Sequence, residues 1–138
     1  MIGIDTNVLL RYLLDDDPAQ SAAARRFFES LTPQSPGVLC HPVLVETWWV
    51  LRSRKIPPAV RITTFEALLE AAELKILGRS EVREALQAAG RGADFADALI
   101  ERTLAASGCG QTVTFDAGAI SNAGMVSVDH RRDAYRPR

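Results

Sequence analysis

Short apolar segments alternate with longer segments of helical character along most of the chain. The apolar segments cover residues 2–4, 38–41, 74–77, 111–115 and 125–128, and the helical segments cover residues 6–14, 18–31, 42–54, 59–73, 80–89 and 94–107. Short strands separated by helices are typical of parallel sheets built from βαβ units. The pattern therefore predicts an α/β fold, with a short-stranded central parallel sheet flanked by helices on both faces.

The size and composition of the chain predict one soluble domain. The 138 residues suit a single domain over residues 1–138, with a loose tail over residues 129–138, where apolar periodicity is lacking. Apolar residues make up 47%, yet no run approaches the roughly 18 residues of a membrane span. The start lacks the features of a signal peptide, and neither cysteine lies in a C-x-x-C pair, which favours a reduced, cytoplasmic protein.

The charge balance excludes one class of nucleic-acid binder. The net charge is −1, which argues against a protein held on nucleic acid by bulk positive charge. Contact through local basic residues stays open, and the candidates are Arg11, Arg25, Arg26, Arg52, Arg54 and Lys55. The last three also suit the C-terminus of their predicted helix, where cations interact favourably with the helix dipole.

The stretch DPAQ marks one helix start clearly. Asp17 is the predicted N-cap, Pro18 occupies the first helical position, and Gln20 completes a capping-box pattern.

Two aspartates lie where a predicted strand gives way to a predicted helix. Asp5 follows residues 2–4, and Asp116 ends the stretch TVTFD ahead of AGAI. In an open parallel sheet, ligands bind outside the carboxyl ends of the strands. We therefore expect both carboxylates to face one crevice, although each one alone is more simply explained as a helix N-cap.

Glu46 interrupts an apolar helical segment. It is the only charged residue within residues 43–51, and its helical neighbours Val43, Trp49 and Val50 are apolar. A solvated helix face therefore does not explain it. A buried ion pair with an arginine and a functional role both remain open.

Asp94 and Asp97 occupy the start of another predicted helix. Asp94 is the predicted N-cap and Asp97 the third helical position, which is the geometry of a capping box. Asp97 also lies near the face that carries Ile100 and Leu104, so capping explains it less completely than it explains Asp94.

The carboxylates together point to a metal ion. Two like charges about 4 Å apart repel by about 4 kcal/mol at an effective dielectric constant near 20. A helix N-terminus offsets only about 0.3–1 kcal/mol of this. Several carboxylates in one crevice must therefore take up protons or bind a divalent cation. Oxygen ligands without matched histidines or cysteines favour Mg²⁺ or Mn²⁺.

Four motifs in a fixed order resemble a known family. The motifs are DTNVLLRYL, VLVETWWVLRS, DFADALI and TFD, with spacings of 41, 51 and 19 residues between their acidic positions. In this order they resemble the PIN-domain proteins and, more narrowly, the VapC toxins of bacterial toxin–antitoxin pairs. The resemblance covers nearly the whole chain, to about Val128. It implies a PIN fold and Mg²⁺- or Mn²⁺-dependent endoribonuclease activity.

The resemblance also assigns residues. It places the catalytic and metal-binding acids at Asp5, Glu46, Asp97 and Asp116, and polar residues that support them at Asn7, Asp94 and Thr114. Glu46 is either a ligand or a general base. Gly118 and Ala119 stand where some members carry another acid, which puts a fully occupied second metal site in doubt.

The partners implied by the resemblance are RNA, an antitoxin and a second copy of the chain. The RNA is of the transfer or ribosomal class, and the cognate antitoxin masks the acidic crevice with a basic side chain. The adjacent Trp48 and Trp49 must face different sides of their helix, so one of them suits a core and the other an interface.

Other functions fit the sequence less well. A catalytically silent PIN-fold module that binds RNA or protein is the main alternative, although the intact acidic set argues against it. A metal-free ribonuclease needs a histidine pair, and His41 and His130 are better explained as surface or capping residues. A dehalogenase-type phosphatase needs D-x-D where the chain has DTN, and a response-regulator receiver needs paired acids there.

Overall fold

The computed structural model describes residues 1–130 and divides into two compact units. The units are Met1–Arg79 and Ser80–Arg138, the second described up to residue 130. Within residues 1–130, no helix is long and apolar enough to cross a membrane. The prediction of a single domain over residues 1–138 stays a prediction.

The first unit contains a three-stranded parallel sheet and four helices. Its elements are β1 (Ile2–Gly3), α1 (Thr6–Leu14), α2 (Pro18–Ser30), β2 (Gly37–Leu39), α3 (His41–Ser53), α4 (Pro58–Glu70) and β3 (Leu74–Ile76). The strand order is β1-β2-β3, so β2 pairs with both neighbours. Gly37 is the register partner of both Ile2 and Leu74. A pair of helices connects each strand to the next, as parallel pairing requires.

Gly37 lies where the sheet and its covering side chains approach most closely. A Cβ atom at this position would lie 2.6 Å from Ile4 Cδ1, 2.9 Å from Leu31 Cδ1 and 3.3 Å from Leu74 Cδ2. All three of these side chains are buried. The sheet therefore needs a residue without a side chain at the start of its central strand.

The first two helices are held by capping and by ion pairs. Asp17 accepts a hydrogen bond from the Gln20 amide at 3.1 Å, which confirms the predicted cap of α2. The Gln20 side chain does not complete a capping box, because its Oε1 instead accepts from Arg11 Nε at 2.7 Å. Asp16 binds Arg11 at 2.9 Å and Arg54 at 2.8 Å, which ties the C-terminal end of α1 to that of α3. Although desolvation alone would raise the pKa of Asp16, the two guanidinium groups lower it.

Aromatic packing joins α3 to α4. Trp48 is buried and packs edge-on against Phe65, with ring centroids 5.3 Å apart. The buried Arg61 guanidinium lies 4.6 Å from the Trp48 ring centroid and donates from Nε to the Ile56 carbonyl at 3.0 Å. A charged group is tolerated there because it meets a π-face and a backbone acceptor.

The second unit has a smaller parallel sheet. Its elements are α5 (Arg79–Gly90, beginning at the last residue of the first unit), α6 (Phe95–Ala106), β4 (Val113–Thr114), α7 (Ala117–Asn122), β5 (Val126–Ser127) and a 3₁₀ helix (Val128–His130). β4 and β5 pair in parallel. The buried Glu101 on α6 forms an ion pair with Arg102, which also approaches Glu84 at 3.7 Å. The carboxylates and the hydrogen bond to Glu101 raise the pKa of Arg102, against desolvation.

The α/β class and the parallel strand pairing are confirmed, and the differences lie at element ends. Residues 6–14 form α1 as predicted. The strand predicted over residues 38–41 is Gly37–Leu39, because α3 already begins at His41. Pro42 then lies in the first turn of α3, where the backbone N–H that proline lacks would have no helical partner. The strand predicted over residues 111–115 is reduced to Val113–Thr114. Of the predicted tail, residues 129 and 130 belong to the 3₁₀ helix, and residues 131–138 lie outside the described residues.

Replacing Gly37 by alanine tests the close packing of the central strand. We expect Gly37→Ala to lower the free energy of unfolding by about 1–3 kcal/mol, because the added methyl group forces three buried side chains to shift. Gly3→Ala is the matched control, since a Cβ there meets nothing within 4 Å. Denaturant unfolding of both variants measures the difference, and equal stabilities would contradict the packing constraint.

Candidate active site

Asp5 occupies an N-cap position without capping the helix. Its backbone is extended, and its carbonyl accepts from the amides of Val8 and Leu9 at 3.1 and 3.2 Å. Its side chain makes no capping hydrogen bond and is exposed, between the buried Ile4 and Thr6. The simple capping explanation therefore does not account for this carboxylate. It is available for another ligand.

Glu46 is exposed, which the sequence interpretation did not anticipate. Trp49, three residues further along α3, is 61% exposed, and Val50 is only partly buried. Of the three apolar neighbours of Glu46, Val43 is buried, but Trp49 faces solvent beside the glutamate. Within residues 1–130, Glu46 has no hydrogen bond or ion pair, so a buried pair with an arginine does not explain it either.

Three arginines of the first unit form ion pairs with aspartates that follow α1. Arg11 and Arg54 bind Asp16, and Arg25 binds Asp15 at 3.1 Å.

Asn7 is exposed near the start of α1 and lines a cavity of about 440 Å³ beside Val8 and Arg11. Within the described part of the chain, no hydrogen bond joins Asn7 to Asp5.

In the second unit, Asp94 and Asp97 share one helix start. Asp94 is the N-cap of α6, and its Oδ2 accepts from the Asp97 amide at 3.0 Å. Asp97 is therefore fixed one turn into the helix, at the third helical position, as the sequence predicts. Both side chains are partly buried.

Asp116 caps α7 and is framed by its neighbours. Its Oδ1 accepts from the Ala119 amide at 2.9 Å, and its own amide donates to Thr114 Oγ1 at 3.0 Å. A Cβ atom at Gly118 would lie 3.1 Å from Asp116 Oδ1, so the glycine leaves room for the carboxylate. One carboxylate oxygen is committed to the cap, and a carboxylate has further acceptor sites.

Asp97 is the electrostatically strained aspartate of the second unit, as far as the structure describes it. Burial raises the pKa of Asp97, and the nearby charges of Asp94 and Asp116 raise it further. Asp94 and Asp116 sit at helix N-termini, where the dipole favours negative charge, but that effect is small. The carboxylates of Asp94 and Asp116 thus lie close enough to Asp97 to repel its negative charge.

The donor chemistry fits a hard divalent cation, but the site is not a ready-made ligand cluster. Oxygen donors are what Mg²⁺ and Mn²⁺ prefer, and a cation would relieve the repulsion at Asp97. Among residues 1–130, however, no three histidine, cysteine, aspartate or glutamate side chains are grouped closely enough to hold a metal ion.

Comparison with known families decides the classification. The PIN domain family model matches residues 2–124, which is most of the chain. The chain belongs to the PIN domain family. Comparisons with curated proteins and with solved structures gave no significant match. PIN domains are in general metal-dependent nucleases that act on nucleic acid, and their α/β fold agrees with the parallel strands and seven α-helices of residues 1–130.

One residue of this PIN domain escaped the sequence analysis. Phe115 is 88% exposed, directly before Asp116. A phenylalanine that ends an apolar segment is ordinarily expected in a core, so the sequence contains no signal of its exposure. The ring lies outside the sheet because β4 ends at Thr114, one residue before Phe115.

Replacing Asp97 by asparagine tests the repulsion. Because its folded pKa is raised, ionised Asp97 destabilises the fold at neutral pH, and this penalty disappears as pH falls below the unfolded value near 3.8. We expect Asp97→Asn, without added metal, to raise the melting temperature at pH 7 and to match the unmodified chain below about pH 3.8. Asp17→Asn, which exchanges one good cap for another, is the control. A lower melting temperature for Asp97→Asn at pH 7 would refute the repulsion.

Proposed function

We propose that this PIN domain is a metal-dependent endoribonuclease and acts as the toxin of a toxin–antitoxin pair. The observation that carries the proposal is the repulsion that the charges of Asp94 and Asp116 exert on Asp97, in a chain of this family. Ionisable groups with perturbed pKa values occur most often at functional sites, so the raised pKa of Asp97 marks a candidate site. Cation binding is the use that suits aspartates best in a nuclease family.

We assign the reaction to four acids. Asp5, Asp97 and Asp116 would hold Mg²⁺ or Mn²⁺, and Glu46 would act as a further ligand or as general base. When bound, the metal would lower the pKa of a water molecule and neutralise charge on the phosphodiester. The Asp5 side chain is free of its helix cap, and the exposed Glu46 has no partner among the described residues. Both are therefore accessible to a ligand.

Supporting residues orient the acids. Thr114 fixes the backbone of Asp116 through its hydroxyl, and Asp94 fixes that of Asp97. Asn7, beside Asp5 in the chain, is assigned the same supporting role. Metal binding requires Asp97 to be deprotonated, so a proton and the metal compete for it, and activity should rise with pH through its raised pKa.

Two alternatives have less support. A metal-free ribonuclease would need an accessible histidine pair, but His41 Nε2 is buried without a hydrogen-bond partner among residues 1–130. A silent PIN module that only binds RNA or protein would have no use for a strained aspartate. RNA of the transfer or ribosomal class in the cytoplasm is the substrate that the toxin role requires.

A nuclease assay with end-group analysis tests the proposal. We expect RNA cleavage with Mg²⁺ or Mn²⁺, none in excess chelator, and products with 5′-phosphate and free 3′-hydroxyl ends, because water rather than the 2′-hydroxyl attacks. Loss of a residue that only supports a metal ligand typically lowers activity about 10- to 100-fold. Because Asp97 and Asp116 are assigned as ligands themselves, Asp97→Asn and Asp116→Asn should each lower the rate by at least about 100-fold. Asp17→Asn should keep full activity, since it alters a cap elsewhere.

Two outcomes would contradict the assignment. Cleavage in excess chelator would exclude the metal. A cyclic 2′,3′-phosphate on the upstream fragment would show attack by the ribose hydroxyl and exclude the water mechanism, whatever residues are involved.

Expression in bacteria tests the toxin role. Induction of the unmodified chain should arrest growth, and Asp97→Asn at equal expression should not. Co-expression of a small protein encoded directly upstream should restore growth, because the antitoxin masks the acidic residues with a basic side chain. Equal arrest by both forms of the chain would mean that toxicity does not come from this site.

A homodimer formed through Trp49 is the assembly we propose. Trp48 is 3% exposed and Trp49 61% exposed, so the two face different sides of α3 as predicted. An exposed tryptophan is typical of the centre of an interface. Sedimentation at micromolar concentration should show a dimer that Trp49→Ala weakens and that Val60→Ala, at 50% exposure, does not. A monomer in the unmodified chain would refute the dimer.

A further inference from the structure

Phe115 has the most exposed large apolar side chain among residues 1–130. Its side chain is 88% exposed, compared with 61% for Trp49 and 42% for Tyr12. Its place in the chain is also unusual, because it stands between Thr114 and Asp116, two residues assigned to the acidic site. Leaving a phenylalanine ring in water forgoes the free energy that its burial would release. Among residues 1–130, no aromatic or cation–π contact engages the Phe115 ring, so it is accessible to a ligand.

The backbone on both sides of Phe115 is fixed. On the N-terminal side, Val113 and Thr114 pair with Val126 and Ser127 in the parallel sheet. On the C-terminal side, the Asp116 amide donates to Thr114 Oγ1, and Asp116 Oδ1 accepts from the Ala119 amide. The ring is therefore presented on a rigid turn rather than on a mobile loop. Presentation of this kind lowers the entropy lost when a ligand binds.

We propose that the Phe115 ring stacks on a base of single-stranded RNA, in a nucleotide that flanks the bond to be cleaved. This inference rests on the proposed nuclease function and deepens it by naming a substrate contact. Proteins commonly bind unpaired bases by stacking them on aromatic side chains, and every base offers a face for this. Consecutive Cα atoms are about 3.8 Å apart, so a nucleotide stacked on Phe115 would lie beside the proposed catalytic site.

The neighbouring charge favours RNA over a second copy of the chain. An apolar protein surface laid on Phe115 would also desolvate the exposed Asp116 carboxylate, which is unfavourable without a partner for the charge. A nucleotide has the complementary arrangement, since its base is a flat apolar face and its phosphate is the group that a cation at Asp116 would attract. Phe115 is then a substrate-positioning residue, beside a carboxylate that would hold the cation.

Kinetics with matched variants test the stacking. We expect Phe115→Ala to raise KM for a short single-stranded RNA about 5- to 150-fold, the range that loss of one stacked base produces. Phe115→Tyr should restore KM to within about threefold, whereas Phe115→Leu should not, because it is apolar but has no ring. Ile120→Ala, at 39% exposure in the same unit, is the control and should leave KM unchanged. Melting temperatures should be unaffected, because the ring is not part of the core.

Direct binding separates this inference from the nuclease proposal. In an Asp97→Asn background, anisotropy of a fluorescein-labelled oligouridine should show weaker binding when Phe115→Ala is added.

If the unmodified chain cleaves RNA but Phe115→Ala has the same KM and affinity, or Phe115→Leu rescues as well as tyrosine does, the stacking is refuted while the nuclease stands. If no RNA is cleaved yet binding depends on the ring, the nuclease fails and the stacking stands. A change in oligomeric state with Phe115→Ala and unchanged RNA affinity would assign the ring to a second copy and refute the stacking.

Discussion

The sheet of the first unit depends on the close packing of side chains around Gly37. Three buried groups, from Ile4, Leu31 and Leu74, occupy the space that a side chain at this residue would need. Strands of two and three residues provide few ladder hydrogen bonds, so the sheet cannot rely on them alone. The apolar packing supplies the remainder. Because β2 pairs with both neighbours, its position also fixes where β1 ends and where Asp5 begins the first helix.

Helix starts explain how the fold carries acidic residues with little loss of stability. Asp5, Asp94 and Asp116 all occupy N-cap positions, where the backbone amides and the helix dipole favour negative charge. Asp94 and Asp116 use a side-chain oxygen for the cap, and Asp5 does not. Capping and function are thus compatible. A cap holds a carboxylate in place with one oxygen while the rest of the group remains able to accept.

The sequence was sufficient where local chemistry decides the structure. The bounds of α1, the cap at Asp17 and the cap at Asp94 follow from residue types and spacing alone, because these depend on groups within one helical turn. The exposure of Glu46 could not be predicted in this way. Apolar neighbours ordinarily indicate burial, but Trp49 and Val50 lie on a side of α3 that no described element covers fully. Whether a helix face is covered depends on tertiary packing, which helical periodicity does not contain.

Phe115 shows the same limit at the level of a single residue. The alternation of apolar residues in TVTF extends a strand to residue 115, whereas the hydroxyl of Thr114 ends it by accepting from the Asp116 amide. Side-chain hydrogen bonds of this kind compete with sheet pairing, and the sequence does not reveal which will prevail. Here the turn prevails, and the same bond that ends the strand holds the exposed ring beside Asp116. The helix-start positions of Asp94, Asp97 and Asp116 could be predicted from the sequence. The exposure of Phe115 could be recognised only once the strand was seen to end early, because it follows from that competition and not from residue type.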